Sequence, residues 1–287
     1  VLRGEDLLSS TPRQIVLYRY LMKLGVAQEI PLFGHMPYVM GQGKKKLSKR
    51  DPESNLFLHR DHGFIPEGLL NYLALLGWSI APDRDVFSMK EMVEKFDVRD
   101  VKANPAHFDI DKAISINAKH IRMLDPQDFL NRSVPYLHRD GVVSADSWDA
   151  LSLREKSILS QSACLIQPRV RLLGEVSGMV GSLISDSEYI EPDVDARKQL
   201  KDSAGEVLAT AVEALEQVDA ADWRAETLHE LLTEALVDKG GYKPRLAFGP
   251  VRVAVSGRRV SPPLFESMEI LGKSITCARL RGLREHL

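Results

Sequence analysis

Cysteine is nearly absent from this 287-residue sequence, which contains only Cys164 and Cys277. Two cysteines cannot form the disulfide framework of a small secreted domain or a cysteine-rich zinc cluster, and they suit a reducing cytoplasm. We expect Cys164, in an apolar stretch before Pro168, to be a buried small hydrophobic residue. No apolar run approaches the roughly 18 residues of a spanning helix, which excludes a membrane span. The first residues show no basic-then-apolar leader, so we expect a cytoplasmic protein.

Metal ligands and aromatic platforms are also scarce. His59 and His62 are spaced to share one helix face, yet only Asp61 lies beside them and no cysteine pair accompanies them. This pattern predicts no protein-bound zinc. The tryptophans are too scattered to form a base-stacking platform, which favours packing in a core or a domain interface. They are Trp78, Trp148 and Trp223.

The net charge of −2 hides a strong polarity along the chain. Residues 186–238 are rich in Asp and Glu, whereas the residues from 243 to the end hold nine Lys and Arg against three Glu. Residues 44–50 hold five basic residues in seven positions and no acid. Acidic surfaces beside basic segments suit a polyanionic partner that binds at chosen places. Solvated helix faces with a basic tail are the simpler alternative.

Helical patterns dominate the chain. Helices are predicted to start at Thr11-Pro12, Pro66 and Asp125-Pro126, and residues 200–215 have the period of an amphipathic helix. Strands are expected only at the extreme start and over residues 30–40 and 251–255. The sequence therefore predicts a mainly α fold with a small α/β part, and with domain boundaries near residues 62 and 124. Capping boxes predict further helix starts at Ser88/Glu91, Ser152/Glu155 and Thr227/Glu230.

Residues 41–50 concentrate the chemistry, with the sequence Gly-Gln-Gly-Lys-Lys-Lys-Leu-Ser-Lys-Arg. Two glycines loosen the backbone, and the lysine ammonium groups offer point charges to a polyphosphate. The segment is not a Walker loop, because that motif has Gly-Lys-Ser/Thr after four intervening residues. A generic surface patch, a nuclear-localisation signal and a heparin-type patch share this composition.

The last five residues, Lys46-Leu47-Ser48-Lys49-Arg50, resemble the Lys-Met-Ser-Lys-Ser motif of class I aminoacyl-tRNA synthetases. The Lys-Leu-Ser-Lys-Arg form is typical of bacterial-type glutamyl-tRNA synthetases. The resemblance continues in order along nearly the whole chain, through residues 3–14, 35–37, 63–78, 96–109 and 249–272. It implies a Rossmann-type α/β remnant over residues 1–62, a helical stem-contact domain over 63–124 and a helical anticodon-binding domain over 125–287.

One family motif does not occur. The His-Ile-Gly-His-like element of the first Rossmann strand–helix turn is missing, since no histidine stands in a His-x-Gly context. The chain therefore resembles the C-terminal portion of a synthetase without the first half of its catalytic domain. A nucleotide fold needs its first strand–turn–helix to bind phosphates. We therefore expect no glutamate activation by this polypeptide alone.

The resemblance implies roles for four residues of the segment 41–50, which we call the lysine loop. Lys49 would stabilise the charge that develops on the leaving phosphates of ATP, and Lys46 would support it. Leu47 would contact adenine through its backbone, and the Ser48 hydroxyl would fix the loop shape. These four residues are the predicted catalytic and ATP-binding group of the loop.

Two residues near the start complete the predicted active-site set. Arg3 matches the family arginine that contacts the amino-acid substrate, and Asp6 stands where an acid near ATP is expected. An ordinary salt bridge at a strand end is the alternative for both. The resemblance implies that the full enzyme takes L-glutamate, glutamate tRNA and ATP with Mg²⁺ as its substrates. It leaves open whether glutamine tRNA is charged as well.

Basic residues of the second half are the candidates for RNA contact. Arg169 and Arg171 follow Gln167-Pro168 near a helix start, where backbone amides and guanidinium groups could meet RNA. A second group surrounds the strand-like segment 251–255 and is the stronger candidate. This second group consists of Lys243, Arg245, Arg252, Arg258 and Arg259.

Three functional interpretations follow from the resemblance. The chain is part of a glutamate–tRNA ligase, or it is by itself a tRNA-binding module without catalysis. Glutaminyl-tRNA synthetase shares the core, but its anticodon domains are β-barrels, whereas residues 125–287 have helical periods and capping boxes. We expect a monomer, because no sustained heptad pattern or exposed apolar patch is evident.

Overall fold

The computed structural model describes residues 1–41, 45–48 and 50–287 of the chain. They divide into two compact units, Val1–His120 and Ile121–Leu287. The three-domain division stays a prediction. No helix of the described ranges is long and apolar enough to cross a membrane.

Unit 1 contains short parallel strands and helices. Strand β1 (Leu2–Gly4) pairs in parallel with β2 (Gly34–Met36), with Arg3 opposite His35, and β3 (Val39–Met40) pairs in parallel with β4 (Ala106–His107). The strands predicted at the start of the chain and within residues 30–40 are thereby confirmed. The helices are α1 (Thr11–Lys23), α2 (Leu56–His62), α3 (Pro66–Leu75), α4 (Met89–Lys95) and α5 (Ile110–Met123), whose last three residues belong to unit 2.

The core of unit 1 forms around the start of α3. Ile65 and Tyr72 are buried, and the Ile65 backbone N–H donates to the Asn117 side-chain oxygen at 2.9 Å. Trp78 is buried and packs edge-to-face on Phe87. This packing agrees with the core role predicted for Trp78.

Helix α1 has a more exposed surface than the sequence suggested. Val16, Leu17 and Tyr20 are all exposed. These three side chains lie on the outer face of α1, and no described element covers them. They contradict the expectation that the surface has no exposed apolar patch. The monomeric state stays a prediction.

Unit 2 is helical in the part that the structure describes. Its α-helices are α6 (Pro126–Arg139), α7 (Leu153–Ile166), α8 (Val176–Ile184), α9 (Val194–Arg197), α10 (Ala204–Glu216), α11 (Ala225–Leu232), α12 (Pro244–Ser256) and α13 (Leu264–Glu285). A π-helix, Thr233–Lys239, follows α11, and Gly272 breaks the helical geometry within α13. Helices α10, α12 and α13 pack around one hydrophobic cluster. The amphipathic helix predicted over residues 200–215 is confirmed as α10.

The segment 251–255 is not a strand. It lies inside α12, which starts after Lys243 with Pro244 in its first turn and ends at Gly257 with a φ of 66°. β-branched residues suggested a strand, but nearly complete burial of Val251, Val253 and Val255 within the helical cluster overrides their weak intrinsic preference.

Two other local predictions are corrected. Thr227 is not a helix cap, because α11 begins at Ala225 and contains it. Cys164 is exposed, because it lies on the face of α7 that points away from the core, where its thiol approaches the Gln161 carbonyl at 3.9 Å. The capping boxes at Ser88/Glu91 and Ser152/Glu155 are confirmed.

Candidate functional site

The first candidate site lies in unit 1, where the lysine loop meets the end of β1. Met40 and Lys46 form an isolated antiparallel bridge, and the Leu47 N–H donates to the Val39 carbonyl at 2.9 Å. This pairing sets the direction of the Lys46 side chain. Its Nζ atom lies 3.4 Å from a carboxylate oxygen of Asp6. Two residues that the sequence analysis selected separately are therefore neighbours.

The Lys46 ammonium group also lies 4.0 Å from the ring centroid of Tyr38. A cation over an aromatic face is held weakly at an exposed site, by about 0.5–1 kcal/mol. Both Lys46 and Asp6 are half exposed. The ammonium group is thus oriented by two partners and stays accessible to an anion.

Ser48 shapes the described end of the loop. Its hydroxyl accepts a hydrogen bond from the Arg50 N–H at 3.2 Å, and its N–H donates to the Asp51 carboxylate at 2.6 Å. Lys49, the predicted catalytic lysine, lies outside the described residues, as do Gln42, Gly43 and Lys44.

Arg3 is held by hydrogen bonds to three side chains, none of which is a carboxylate. Its guanidinium donates to Gln14 Oε1 at 2.5 Å, to the Thr11 hydroxyl, and to His35 Nε2 at 3.3 Å. It also lies over the Phe33 ring at 4.9 Å. No described carboxylate forms an ion pair with it. The positive charge is therefore fixed in place without being neutralised, as a site for a substrate carboxylate requires.

The second candidate site is a cleft of about 890 Å³ in unit 2. It lies between helix α8, the turn after α7, the turn after α12 and the segment 185–193. Three of the seven predicted RNA-contacting residues line it together, namely Arg169, Arg171 and Arg258.

Two of these arginines have no acidic partner among the described residues. Arg169 donates to the Leu165 carbonyl at 2.7 Å, at the C-terminal end of α7, and Arg258 makes no side-chain ion pair. Arg171 differs, because its guanidinium lies 3.2 Å from Glu175. Unneutralised guanidinium groups at a cleft wall are suited to phosphate oxygens and to base edges.

Four carboxylates also line the cleft, and each is already engaged. Asp140 accepts from Arg139, and this hydrogen bond, with a contribution from Ser177, holds the pKa of Asp140 below its usual value. Glu175 pairs with Arg171, and Glu191 pairs with Arg197. Asp193 accepts from a backbone N–H at the start of α9. Arg169 and Arg258 thus have no acidic partner among the described residues, while Asp193, held by a backbone N–H, keeps its negative charge in the cleft.

Arg252 lies behind the cleft wall. It is partly buried and donates to the Ser261 hydroxyl at 2.9 Å and to the Pro262 carbonyl at 3.1 Å. Burial, and then the charge of Arg169, lower the pKa of Arg252. Its guanidinium therefore adds positive potential near Arg169.

The remaining predicted residues do not join the cleft. Lys243 and Arg245 lie at the opposite end of α12, about 20 Å away along a 13-residue helix. Arg259 is exposed and lies near Asp195. The predicted cluster around residues 251–255 was wrong because a helix separates its two halves.

The sequence analysis missed Arg279, which supports the cleft from behind. Its guanidinium is fully buried and donates to the carbonyls of Ser185, Ser187 and Val255 at 2.8–2.9 Å. It thereby joins the end of α12 to the segment 185–193, which forms one wall of the cleft. The only sequence signal that could have identified Arg279 is its position in a helix that contains both polar and apolar residues.

The described residues contain no group of three or more His, Cys, Asp and Glu side chains that could hold a metal ion. His59 is buried between the rings of Phe64 and Phe108.

The comparison with family models divides the chain in two. The model of the anticodon binding domain matches residues 128–284, more than half of the chain. The model of the catalytic domain of class I tRNA synthetases (E and Q) matches residues 1–114.

Curated relatives cover the whole chain. The glutamate–tRNA ligase of Bifidobacterium adolescentis is 80% identical over 287 residues, which are 100% of this chain and 57% of that protein. The glutamate–tRNA ligase of Kocuria rhizophila is 61% identical over 100% of this chain and 56% of its own length. The chain thus spans a little over half the length of these relatives.

Solved structures show the same fold. A glutamate tRNA ligase from Elizabethkingia meningosepticum, crystallised in complex with its amino acid, has a TM-score of 0.78 at 23% identity, over 100% of this chain and 57% of that one. The glutamate-tRNA synthetase of Elizabethkingia anophelis has a TM-score of 0.75 at 24% identity, over 99% and 56%. With its two domain matches in this order, the chain belongs to the glutamyl-tRNA synthetase family of class I tRNA synthetases.

Proposed function

We propose that this chain forms part of a glutamate–tRNA ligase and that its own share of the work is to bind tRNA and to supply the lysine loop. In the reaction, the glutamate carboxylate attacks the α-phosphorus of ATP and pyrophosphate leaves. The adenylate then acylates the 3′ end of the tRNA. Such transfers are accelerated chiefly by positioning and by positive charge near the leaving phosphates.

In this proposal, Lys49 and Lys46 meet the phosphates of ATP, which brings Mg²⁺ with it. Lys46 is accessible and is held only by a half-exposed carboxylate and an aromatic ring, so a phosphate can replace the carboxylate. Ser48 and Leu47 shape the adenine side of the loop. Arg3 binds the glutamate substrate, supported by its hydrogen bonds to Gln14, Thr11 and His35.

The tRNA part of the proposal is carried by one observation. Arg169 and Arg258 line one cleft, and no described carboxylate pairs with either. The cleft lies in the region that matches the anticodon binding domain. We therefore assign Arg169, Arg171 and Arg258 to the anticodon arm, with Arg252 behind them. We assign contacts with phosphates of the same RNA outside the cleft to Lys243, Arg245 and Arg259.

A salt titration tests this assignment. The chain is titrated with a glutamate tRNA transcript, without ATP or glutamate, at several salt concentrations. Affinity should fall with salt, because contacts to phosphates release counterions. Arg169→Glu and Arg258→Glu should each weaken binding by about tenfold or more, and a lost phosphate contact should lower the salt slope by about one unit.

The matched control is Arg224→Glu, which makes the same charge change on the acidic stretch 186–238. It should leave affinity and slope nearly unchanged. Equal affinities and slopes for all variants would show that the RNA surface lies outside the cleft. Lys243 and Arg245 would then become the leading residues. The same titration with glutamine tRNA shows whether the cleft discriminates between the two tRNAs.

The second candidate function is a tRNA-binding module without catalysis. The observation that favours it is the match of residues 128–284, more than half of the chain, to the anticodon binding domain. Glutamate-dependent pyrophosphate exchange, measured with tRNA in a protein of the relatives' full length that contains this chain, separates the two candidates. Exchange by that protein supports a ligase, whereas tight tRNA binding without exchange supports the module. Because its relatives are tRNA ligases by name, we place either function in the cytoplasm.

A further inference from the structure

Helix α8 presents a bare backbone to the guanidinium of Arg258. A Cβ atom built at Gly178 would lie 3.0 Å from Arg258 Nη1 and 3.6 Å from Cζ. Carbon atoms in good contact lie about 3.5–4.0 Å apart. The space that any other side chain would fill at position 178 is therefore occupied by the end of Arg258.

The backbone that leads to Arg258 is fixed independently. Gly257 ends α12 with a φ of 66°, and a Cβ there would lie 2.4 Å from Ile190. The Arg258 N–H donates to the Ser256 hydroxyl at 3.2 Å, and that hydroxyl donates to the Arg252 carbonyl at 2.8 Å. No described carboxylate holds the guanidinium itself. Arg258 is an exposed residue, and its guanidinium lies against Gly178 on one side.

We propose that Gly178 is a positioning residue for RNA binding, because its missing side chain seats the Arg258 guanidinium against α8 at the cleft. This inference rests on the proposed function for the identity of the ligand. A guanidinium held in one place before binding loses less conformational freedom on contact with a phosphate or base. Its long side chain would otherwise be ordered only at the moment of binding.

A second glycine of the same helix provides a matched comparison. Gly181 also lines the cleft, and a Cβ there would lie 3.8 Å from Val142, which is ordinary contact. Gly205 in α10 lies outside the cleft, and a Cβ there would have no neighbour within 4 Å. Alanine raises helix propensity at all three positions. Of these three positions, only Gly178 is one where the alanine side chain would displace an arginine of the cleft, Arg258.

The position of Arg258 is measured first, without RNA. The NMR signal of the Arg258 Nε–H group, identified by its loss in Arg258→Lys, should shift in Gly178→Ala. It should stay in place in Gly181→Ala. An unshifted signal in Gly178→Ala would show that Gly178 does not position the Arg258 guanidinium, and would overturn the proposal.

Binding of the glutamate tRNA transcript is measured next. Arg258→Ala should weaken it by about tenfold, Gly178→Leu by nearly as much, and Gly178→Ala by about threefold. Gly205→Ala should stay within about twofold of the unchanged chain. Thermal unfolding of each variant shows that it is folded.

A double-mutant cycle separates seating from simple occlusion of the cleft. If Gly178 acts through Arg258, both Gly178 substitutions should have almost no further effect in the Arg258→Ala background. Additive losses would mean that the new side chain blocks the cleft, and would overturn the proposal. If Arg258→Ala has no effect while Arg169→Glu weakens binding, this inference fails and the proposed function stands. If neither has an effect, the assignment of the cleft to RNA fails as well.

Discussion

The Nζ atom of Lys46 lies 3.4 Å from a carboxylate oxygen of Asp6, although the two residues are 40 positions apart in the sequence. The pair joins the lysine loop to the residues just after β1. Both side chains are about half exposed, so solvent screens their attraction and the pair contributes little to folding. The pair is important because it positions the positive charge of the Lys46 ammonium group.

We predict that Lys46→Ala and Asp6→Asn each change the free energy of unfolding by less than about 1 kcal/mol. The matched control is Lys112→Ala, since Lys112 and Asp85 form a pair with the same 3.4 Å distance and similar exposure. Stability should not distinguish the two lysines. In a protein of the relatives' full length, however, Lys46→Ala should slow tRNA-supported pyrophosphate exchange while Lys112→Ala should not. Equal rates would contradict the role of Lys46.

Arg279 should be far more important for stability than its neighbours on α13. Burial lowers the pKa of Arg279 to about 10, which leaves the guanidinium charged near neutral pH. Arg279→Met removes the buried donor to three backbone carbonyls, one of them fully buried, and should cost about 3 kcal/mol or more. Arg281→Ala, two residues on, loses only an exposed ion pair with Glu216 and should cost less than about 1 kcal/mol. Denaturant unfolding measures both, and similar costs would show that the buried contacts contribute little.

His120 should make unit 1 sensitive to acid. Its Nε2 lies 2.7 Å from Asn71 Oδ1, and burial lowers the pKa of His120 while the nearby Glu67 opposes the shift. A histidine whose pKa is lower in the folded state binds fewer protons there than in the unfolded chain. Its contribution is therefore complete above about pH 6.5 and is lost as the pH falls below that value.

The test is the pH dependence of unfolding between pH 7 and pH 5. His120→Gln keeps a donor for Asn71 and should flatten the decline in stability below about pH 6.5. His62→Gln, at an exposed position of the same unit, should leave the decline as it was. An unchanged decline in His120→Gln would assign the acid sensitivity to other groups.

The capping box at Ser152/Glu155 should be worth more than the one at Ser88/Glu91. Burial acts to raise the pKa of Glu155, but hydrogen bonds from Ser152 and Ser144 lower it to about 2. We expect Glu155→Gln to cost about 1–3 kcal/mol, because the N–H donors of both serines lose the charged acceptor of the buried Glu155 side chain. The stabilisation should be present above about pH 4.5 and be lost towards pH 2.

Glu91→Gln is the control for that change, because Glu91 caps α4 in the same way at an exposed site. Its cost should be smaller, since water can replace the lost interactions. Unfolding free energies at pH 7 for the two variants decide the comparison. Equal costs would show that burial does not strengthen the Glu155 cap.

Local patterns in the sequence predicted six of the thirteen α-helices in the described residues, namely α1, α3, α4, α6, α7 and α10. Pro66, Asp125-Pro126 and the confirmed capping boxes mark helix starts because a cap is satisfied by residues within one turn. The period of residues 200–215 predicted the buried face of α10, because residues three and four positions apart lie on the same face of a helix. The ordered family motifs, from residue 3 to residue 272, were also readable without any structure.

Properties that depend on distant residues were decided by the tertiary structure. Val251, Val253 and Val255 are helical because the packing of α10, α12 and α13 outweighs a local preference for strand. Cys164 is exposed because the orientation of α7, and not its composition, determines which face is covered. Lys243 and Arg258 are close in sequence but are separated by the length of α12. Residues far apart in sequence, such as Arg169 and Arg258, meet only because folding brings their segments to one cleft.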